Sequence, residues 1–245
     1  MVDKLTTWPF PRRLIIGIGP AGLAIVQAFR RRLEERWGSL PSSVACLAVV
    51  GGAAQAACHE ECSGVMTVAL PLPVVAQSDS TPQQVRQAVW QGGPAIVSLL
   101  AEAMAQISRI GRAETFQVAL KPANHSPELT CYLITALDDA LGSAAFLDLA
   151  YLVRHLAHQR LNAPAQVSGL LLLPDTLQPE DPRPALARCQ AALHELDAKM
   201  RPHDGHVTPW DEAVGMVQGW GPAFDHGCYL LGALNGRSLS LAQPE

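Results

Sequence analysis

Aromatic and charged residues are both scarce in this 245-residue chain, at 5% and 16% of the total. Nearly half of the residues are apolar, with Ala, Leu and Val the most frequent, so a chain that is mainly disordered is excluded. An aliphatic core with few rings is typical of parallel strands covered by helices. The length allows one large domain or two small ones.

The chain also lacks a basic excess and a long hydrophobic run. A net charge of -4 provides no electrostatic footprint for nucleic acid. The most apolar stretch, Leu14 to Phe29, contains three glycines and a proline and is shorter than the roughly 20 residues that a membrane span needs. No small-residue cleavage site follows it, as a signal peptide would require. These absences predict a cytoplasmic protein that binds neither nucleic acid nor membrane.

Cysteines are too few and too scattered for a disulfide scaffold, so reduced thiols are expected. They are Cys46, Cys58, Cys62, Cys131, Cys189 and Cys228. Cys58 and Cys62, with His203 and His206, are a conceivable zinc set, but neither pair has the usual spacing of a zinc finger. An acidic turn with ordinary thiols is the favoured interpretation, and no metal is expected. No arrangement of nucleophile, histidine and acid is legible either, so no catalytic residue is predicted.

One stretch organises the chain. It combines a short apolar strand (Leu14 to Ile16), a turn with three glycines (Gly17, Gly19, Gly22) and a helix that ends near Gly38. Glycines let such a turn approach a phosphate, and the N–H groups at the start of the helix provide an anion site. The alternative is a tight strand-to-helix turn that needs glycine for its backbone alone.

Strands and helices alternate along the rest of the chain. Further strands are predicted at Val44 to Val50, Leu129 to Thr135, Val167 to Leu173 and Cys228 to Leu231, and further helices from Pro82, from Pro94 to about Ile110, from Ala145 to His158 and from Ala185 to Met200. This order predicts an α/β fold with three layers, a mostly parallel, Rossmann-like sheet with helices on both faces. We expect a single domain over residues 1–245, with residues 1–13 as a poorly structured lead-in.

The fragment GIGPAGLA (Gly17 to Ala24) is similar to the opening of flavin- and nicotinamide-binding proteins. Such proteins place an acidic residue about 20 residues past the glycines, at the end of the second strand, to hold a ribose. Here the second strand ends in Val50, Gly51 and Gly52, with no acid. An oxidoreductase therefore stays an alternative only.

Four segments in order resemble the bacterial tubulin-like proteins, relatives of tubulin and of its bacterial division homologue. They are RLIIGIGPAGLAIVQAFRRRLEER followed by VACLAVV, then FLDLAYLVRHL after Gly142 and Ser143, then GLLLLPDT with AALHELDAKM, and finally FDHGCYLL. The resemblance implies a tubulin-type nucleotide-binding domain that takes GTP or GDP and self-associates head to tail. It implies phosphate contacts at Gly17, Gly19, Pro20, Ala21, Gly22, Gly142 and Ser143.

The second phosphate loop departs from the family, which has Gly-Gly-Thr-Gly-Ser-Gly there. This chain has Asp139-Ala140-Leu141-Gly142-Ser143-Ala144, preceded by Asp138, so only two positions match. Each carboxylate close to a phosphate adds repulsion on the order of 1 to 4 kcal/mol. In the favoured interpretation the two acids face solvent or cap the next helix. In the alternative they hold Mg²⁺.

Other family contacts are also replaced. Gly51 or Gly52 stands where an acid is expected, Arg188 where an asparagine is expected, and Gly232-Ala233 where an Asp-Asn pair reads the base, with Asn235 as a possible substitute. The second tubulin domain is not found in the sequence. We therefore expect a degraded GTP site on a scaffold that binds a protein partner or itself. The alternatives are a GTPase completed by another polypeptide and a FAD- or NAD-dependent oxidoreductase.

Overall fold

The computed structural model describes residues 12–51, 64–70, 81–115, 129–174, 183–201, 206–210, 215–219, 221–225, 227–232 and 238–240. The strands in these ranges are β1 Arg12–Ile18, β2 Val44–Gly51, β3 Met66–Leu70, β4 Leu129–Ala136, β5 Ala165–Leu172, β6 His206–Pro209, β7 Met216–Gly219, β8 Cys228–Leu231 and β9 Ser238–Ser240. The helices are α1 Gly19–Trp37, α2 Pro82–Gln91, α3 Gly93–Thr115, α4 Ala140–Leu161 and α5 Arg183–Met200.

The main sheet has seven strands in the order β3-β2-β1-β4-β5-β8-β9. Every pairing from β3 to β8 is parallel, and β9 runs antiparallel to β8. The order proceeds outward in both directions from the neighbours β1 and β4, so their carboxyl ends form the topological switch point, where ligands bind in open α/β sheets. The predicted α/β architecture with a mostly parallel sheet is confirmed.

Helices cover both faces of the sheet. On one face, α1 buries Leu23 and Val26 against β1, β2 and Ile134 of β4. The other face carries the larger core, in which α2, α3, α4 and α5 pack over the alternate residues of the strands. The apolar runs of β1 and β2 are buried on both faces, as their composition predicts. None of the helices in the described ranges is long and apolar enough to cross a membrane.

Helix α4 begins earlier than the sequence predicts, and it is buried on more sides than a surface helix would be. It begins at Ala140 instead of Ala145, and Asp139 is its N-cap. The predicted inward residues, such as Phe146 and Leu149, are buried, but so are Leu147 and Tyr151 on other sides of the helix. The helix is therefore a central element enclosed by its neighbours, not an amphipathic surface helix.

Four short strands are absent from the sequence prediction. Strands β3 and β9 form the two edges of the sheet, and β6 and β7 form a separate antiparallel hairpin. The hairpin packs on α4, where Val217 is fully buried and a Cβ on Gly219 would overlap the ring of Tyr151. The Tyr151 hydroxyl donates to the carbonyl of Gly221 at 3.2 Å, which fixes the following segment as well.

The start of α2 follows the predicted N-cap. Thr81 and Gln84 form a capping box, in which the Gln84 N–H donates to Thr81 Oγ1 at 3.4 Å and the Thr81 N–H to Gln84 Oε1 at 3.0 Å. Thr81→Ala is expected to lower the free energy of unfolding by about 1 kcal/mol, measured by urea titration. Ser108→Ala is the control, because that hydroxyl only donates to a carbonyl in its own helix. Equal effects of the two variants would contradict the prediction.

Candidate functional site

Two helix N-termini meet at the switch point of the sheet. Strand β1 runs directly from Ile18 into α1, and β4 leads through a short turn into α4. Ile18 is paired with Thr135 of β4, so both turns leave the same edge of the sheet side by side. The first N–H groups and the positive dipole ends of two helices therefore face one region, which favours an anion there.

The first turn depends on glycine for its shape. Gly19 has φ +72°, a conformation that side chains rarely adopt. A Cβ on Gly22 would lie 2.6 Å from the carbonyl oxygen of Ile134, and a Cβ on Gly17 would overlap the backbone of Gly22. Gly17 and Gly22 thus allow close packing of the turn against itself and β4, which is the backbone role that the sequence left open. Pro20 is exposed at the rim.

The second turn brings Gly142 and Ser143 to the same edge. A Cβ on Gly142 would overlap Thr135 Oγ1, so this glycine too allows close packing. The Ser143 hydroxyl is buried and donates to the carbonyl of Ala140 at 3.3 Å. Thr135, which sequence reasoning did not select, donates to the Ile18 carbonyl at 3.4 Å and links the ends of the two strands. Its only sequence signal is its place at the end of an apolar strand.

Asp139 lies between the two turns. Its Oδ2 accepts a hydrogen bond from the N–H of Gly142 at 2.7 Å, so it caps α4, as the favoured interpretation predicts. The same oxygen occupies the space where a Cβ of Gly19 would project. Burial raises the pKa of this carboxyl group, the Gly142 N–H opposes the rise, Asp138 adds to it and Arg188 opposes it. A partly buried carboxyl group therefore stands between the first turn of α4 and the glycine turn of α1.

Arg188 supplies positive charge beside this carboxylate. It projects from α5, and its Nε donates to the carbonyl of Asp138 at 2.8 Å. The sequence flagged position 188 only because an asparagine was expected there. The arginine instead ties α5 to the second turn, and it is a cation at the rim of the site.

Two further expected contact positions are partly visible. Gly51 ends β2 without an acidic side chain, while Gly52 lies outside the described residues. Gly232 follows β8 with no side chain to offer a base, and Ala233 and Asn235 lie outside the described residues. Gly51 and Gly232 themselves therefore bring no polar side chain to the site.

Metal and thiol chemistry receive no support from the residues that can be described. Within those ranges, no group of three or more His, Cys, Asp or Glu side chains is placed to hold a metal ion. Cys58, Cys62 and His203 of the conceivable zinc set lie outside them, and only the backbone of His206 is described. The thiols of Cys46, Cys131, Cys189 and Cys228 are free and buried. Burial raises the pKa of Cys46 to about 11 and that of Cys228 to about 12, so neither is a nucleophile at neutral pH.

Comparison with known proteins gives one family and several solved structures. A family model described as "Tubulin like" matches residues 75–243. CetZ from Methanosaeta thermophila is 12% identical with a TM-score of 0.54 and is matched over 91% of this chain and 46% of its own. TubZ of Clostridium botulinum phage c-st is 10% identical, with a TM-score of 0.48 over 91% of this chain and 52% of its own.

A third solved structure is CetZ1 from Haloferax volcanii, described as a GDP-bound monomer. It is 16% identical with a TM-score of 0.43 and is matched over 75% of this chain and 47% of its own. At these identities the likeness shows the fold alone. The chain spans about half the length of the solved structures that it matches. No curated protein matches the sequence.

Proposed function

Because the chain belongs to the tubulin-like family, we propose that it is one tubulin-type domain whose GTP site is degraded and which acts as a scaffold. In this proposal the domain binds a protein partner or further copies of itself without turning over GTP. Gly17, Gly19, Pro20, Ala21, Gly22, Gly142 and Ser143 are the remains of the phosphate contacts.

The position of Asp139 carries this proposal. A phosphate held by the N–H groups of both turns would have to share the space against Gly19 with the Asp139 carboxylate. Two like charges at such a distance repel by about 1 to 4 kcal/mol, depending on how well water screens them. The N–H of Gly142, which a phosphate would need, is already paired.

The replaced contacts point the same way. The Ser143 hydroxyl donates a hydrogen bond to the backbone of its own helix. Gly51 and Gly232 bring no polar side chains to the ends of β2 and β8. Recognition of a ribose or a base needs hydrogen-bonding side chains in fixed positions. We therefore propose that the contacts to the ribose and the base are degraded as well as those to the phosphates.

A second candidate function is a GTPase that another polypeptide completes. The convergence of two helix N-termini on one edge of the sheet favours it, since this frame suits an anion once Asp139 has moved away. The chain spans about half the length of the structures it matches, and in this candidate function another polypeptide supplies the remaining catalytic groups. Neither the fold nor the comparisons favour an oxidoreductase.

Titration calorimetry with GTP and GDP in the presence of Mg²⁺ separates the two functions. The degraded site predicts a dissociation constant weaker than about 1 mM, a binding free energy below about 4 kcal/mol. The sedimentation coefficient of the protein is likewise expected to be the same with and without GTP. Micromolar binding, or assembly that requires GTP, would contradict the degraded site and favour the second candidate.

A further inference from the structure

The N-terminus of α1 has no capping group of its own. Its N-cap residue is Ile18, which makes no side-chain hydrogen bond to the helix, and its first turn holds no acidic residue. Pro20 has no N–H to offer. A carboxylate from another element lies close to this helix end, since Asp139 projects from the turn before α4 and its Oδ2 lies where a Cβ of Gly19 would project. This carboxylate thus caps α4 and also lies beside the start of α1.

The groups around Asp139 act on the ionisation of its carboxyl group in both directions. Burial disfavours the negative charge, and Asp138 in the same turn disfavours it further. The Gly142 N–H from α4 and the guanidinium of Arg188 from α5 favour it, and α1 contributes no charged side chain in its first turn. Asp139 therefore accepts a hydrogen bond from an amide at a helix start, which is the kind of group that would bind a phosphate.

We propose that Asp139 is an internal competitor for the phosphate position. The space between the turns at Gly19 and Gly142 is then closed in the isolated chain and opens when this carboxylate is removed. The inference rests on the proposed function, because it takes the two turns to be the remains of a phosphate site. It adds that Asp139, rather than general decay of the two turns, keeps the phosphate groups of a nucleoside diphosphate or triphosphate out of them. The backbone frame at Gly19 and Gly142 stays competent.

Asp139→Gly tests the inference, because it removes both the charge and the bulk, and glycine is tolerated at a helix N-cap. We expect the variant to bind GDP and GTP at least tenfold more tightly than the wild-type chain, measured by titration calorimetry. Asp139→Asn keeps the bulk and the cap but not the charge, so its gain is expected to be smaller than that of the glycine variant. Guanosine, which lacks phosphate, is expected to gain nothing.

Asp138→Asn is the matched control. It changes the net charge by the same amount in the same turn, and it is expected to leave nucleotide affinity unchanged. If Asp138→Asn gains as much as Asp139→Gly, the effect is one of overall charge and the inference is wrong. If a folded Asp139→Gly gains nothing, the inference is wrong while the degraded site stands. Tight binding by the wild-type chain would instead overturn the proposed function. Should Asp139→Gly fail to fold, as judged by circular dichroism, Asp139→Asn decides instead: a gain in GDP and GTP affinity over Asp138→Asn supports the inference, and no gain contradicts it.

Discussion

Asp148→Ala is expected to lower the free energy of unfolding by about 3 kcal/mol, because it removes a buried carboxylate that accepts hydrogen bonds from two other elements. Asp148 lies inside α4 and is 1% exposed. Its Oδ2 accepts from Trp90 Nε1 at 3.0 Å and is 3.4 Å from Arg86 Nε, and its Oδ1 accepts from Thr208 Oγ1 at 3.3 Å. The side chain therefore joins α4 to α2 and to the β6–β7 hairpin. Urea denaturation followed by circular dichroism measures the loss.

Asp197→Ala is the control for this prediction, because Asp197 also pairs with an arginine but the pair is exposed. It is expected to change the free energy of unfolding by less than about 1 kcal/mol. In the Asp148 variant Arg86 keeps its ion pair with Glu195, in which Arg86 Nη2 lies 2.9 Å from Oε1 and 2.7 Å from Oε2. A loss for Asp148→Ala no larger than that of the control would show that the buried network does not stabilise the fold.

Gly22→Ala is the second large expected effect, and two physical terms predict opposite signs for it. Alanine in a helix is more favourable than glycine by about 1 kcal/mol. At this position, however, the added Cβ would lie 2.6 Å from the Ile134 carbonyl oxygen and 2.9 Å from the Gly17 carbonyl carbon. These are backbone atoms of β4 and of the turn, so they give way only if the helix shifts. Overpacking of this kind costs about 1 to 3 kcal/mol, so after the gain in helix propensity we expect a net loss of up to about 2 kcal/mol.

Gly232→Ala is the matched control for the Gly22 variant. A Cβ at Gly232 would meet nothing closer than Leu173 Cδ1, at 3.9 Å. Its free energy of unfolding is expected to stay within about 0.5 kcal/mol of the wild-type value. If Gly22→Ala proves more stable than wild type in the same urea titration, helix propensity outweighs the contact and the close approach of α1 to β4 is not required.

The elements that could be predicted from the sequence are those with long, regular apolar patterns. Val44–Gly51 is a continuous apolar run that is buried on both faces, as an inner parallel strand should be. Helix α1 ends with Gly38 in the left-handed region, φ +77°, which is the stop signal that was recognised. In such segments, local preference and tertiary packing require the same conformation.

The elements that could not be predicted owe their structure to their neighbours. Strands β6 and β7 have four residues each and contain Pro209 and Gly219, a composition typical of loops. They form a hairpin because Val217 and Trp210 are buried beneath it. The first turn of α4 was not predicted as helix for a similar reason, since Gly142 and Ser143 are poor helix formers, and Gly142 is needed there for close packing against β4.

The candidate site was likewise predictable only in part. Its location could be predicted, because a strand, a glycine turn and a helix in succession place a helix N-terminus at the edge of a parallel sheet. The acids at 138 and 139 were also recognised as foreign to the family loop. Their individual positions were not predictable, because a turn residue can face solvent, a metal or its own helix without any change in sequence pattern.

The sequence by itself determined the layered α/β class, the family resemblance and the edge of the sheet on which the two turns lie, because periodicity and glycine spacing are local properties of the chain. Tertiary structure alone decided which carboxylate lies between the two turns. The pairing of β1 with β4 sets Gly19 of one turn against Asp139 of the other, and α5 brings Arg188 to the same turn. These contacts join residues more than 40 positions apart, so their physical origin is the packing of the sheet and helices and not any local pattern.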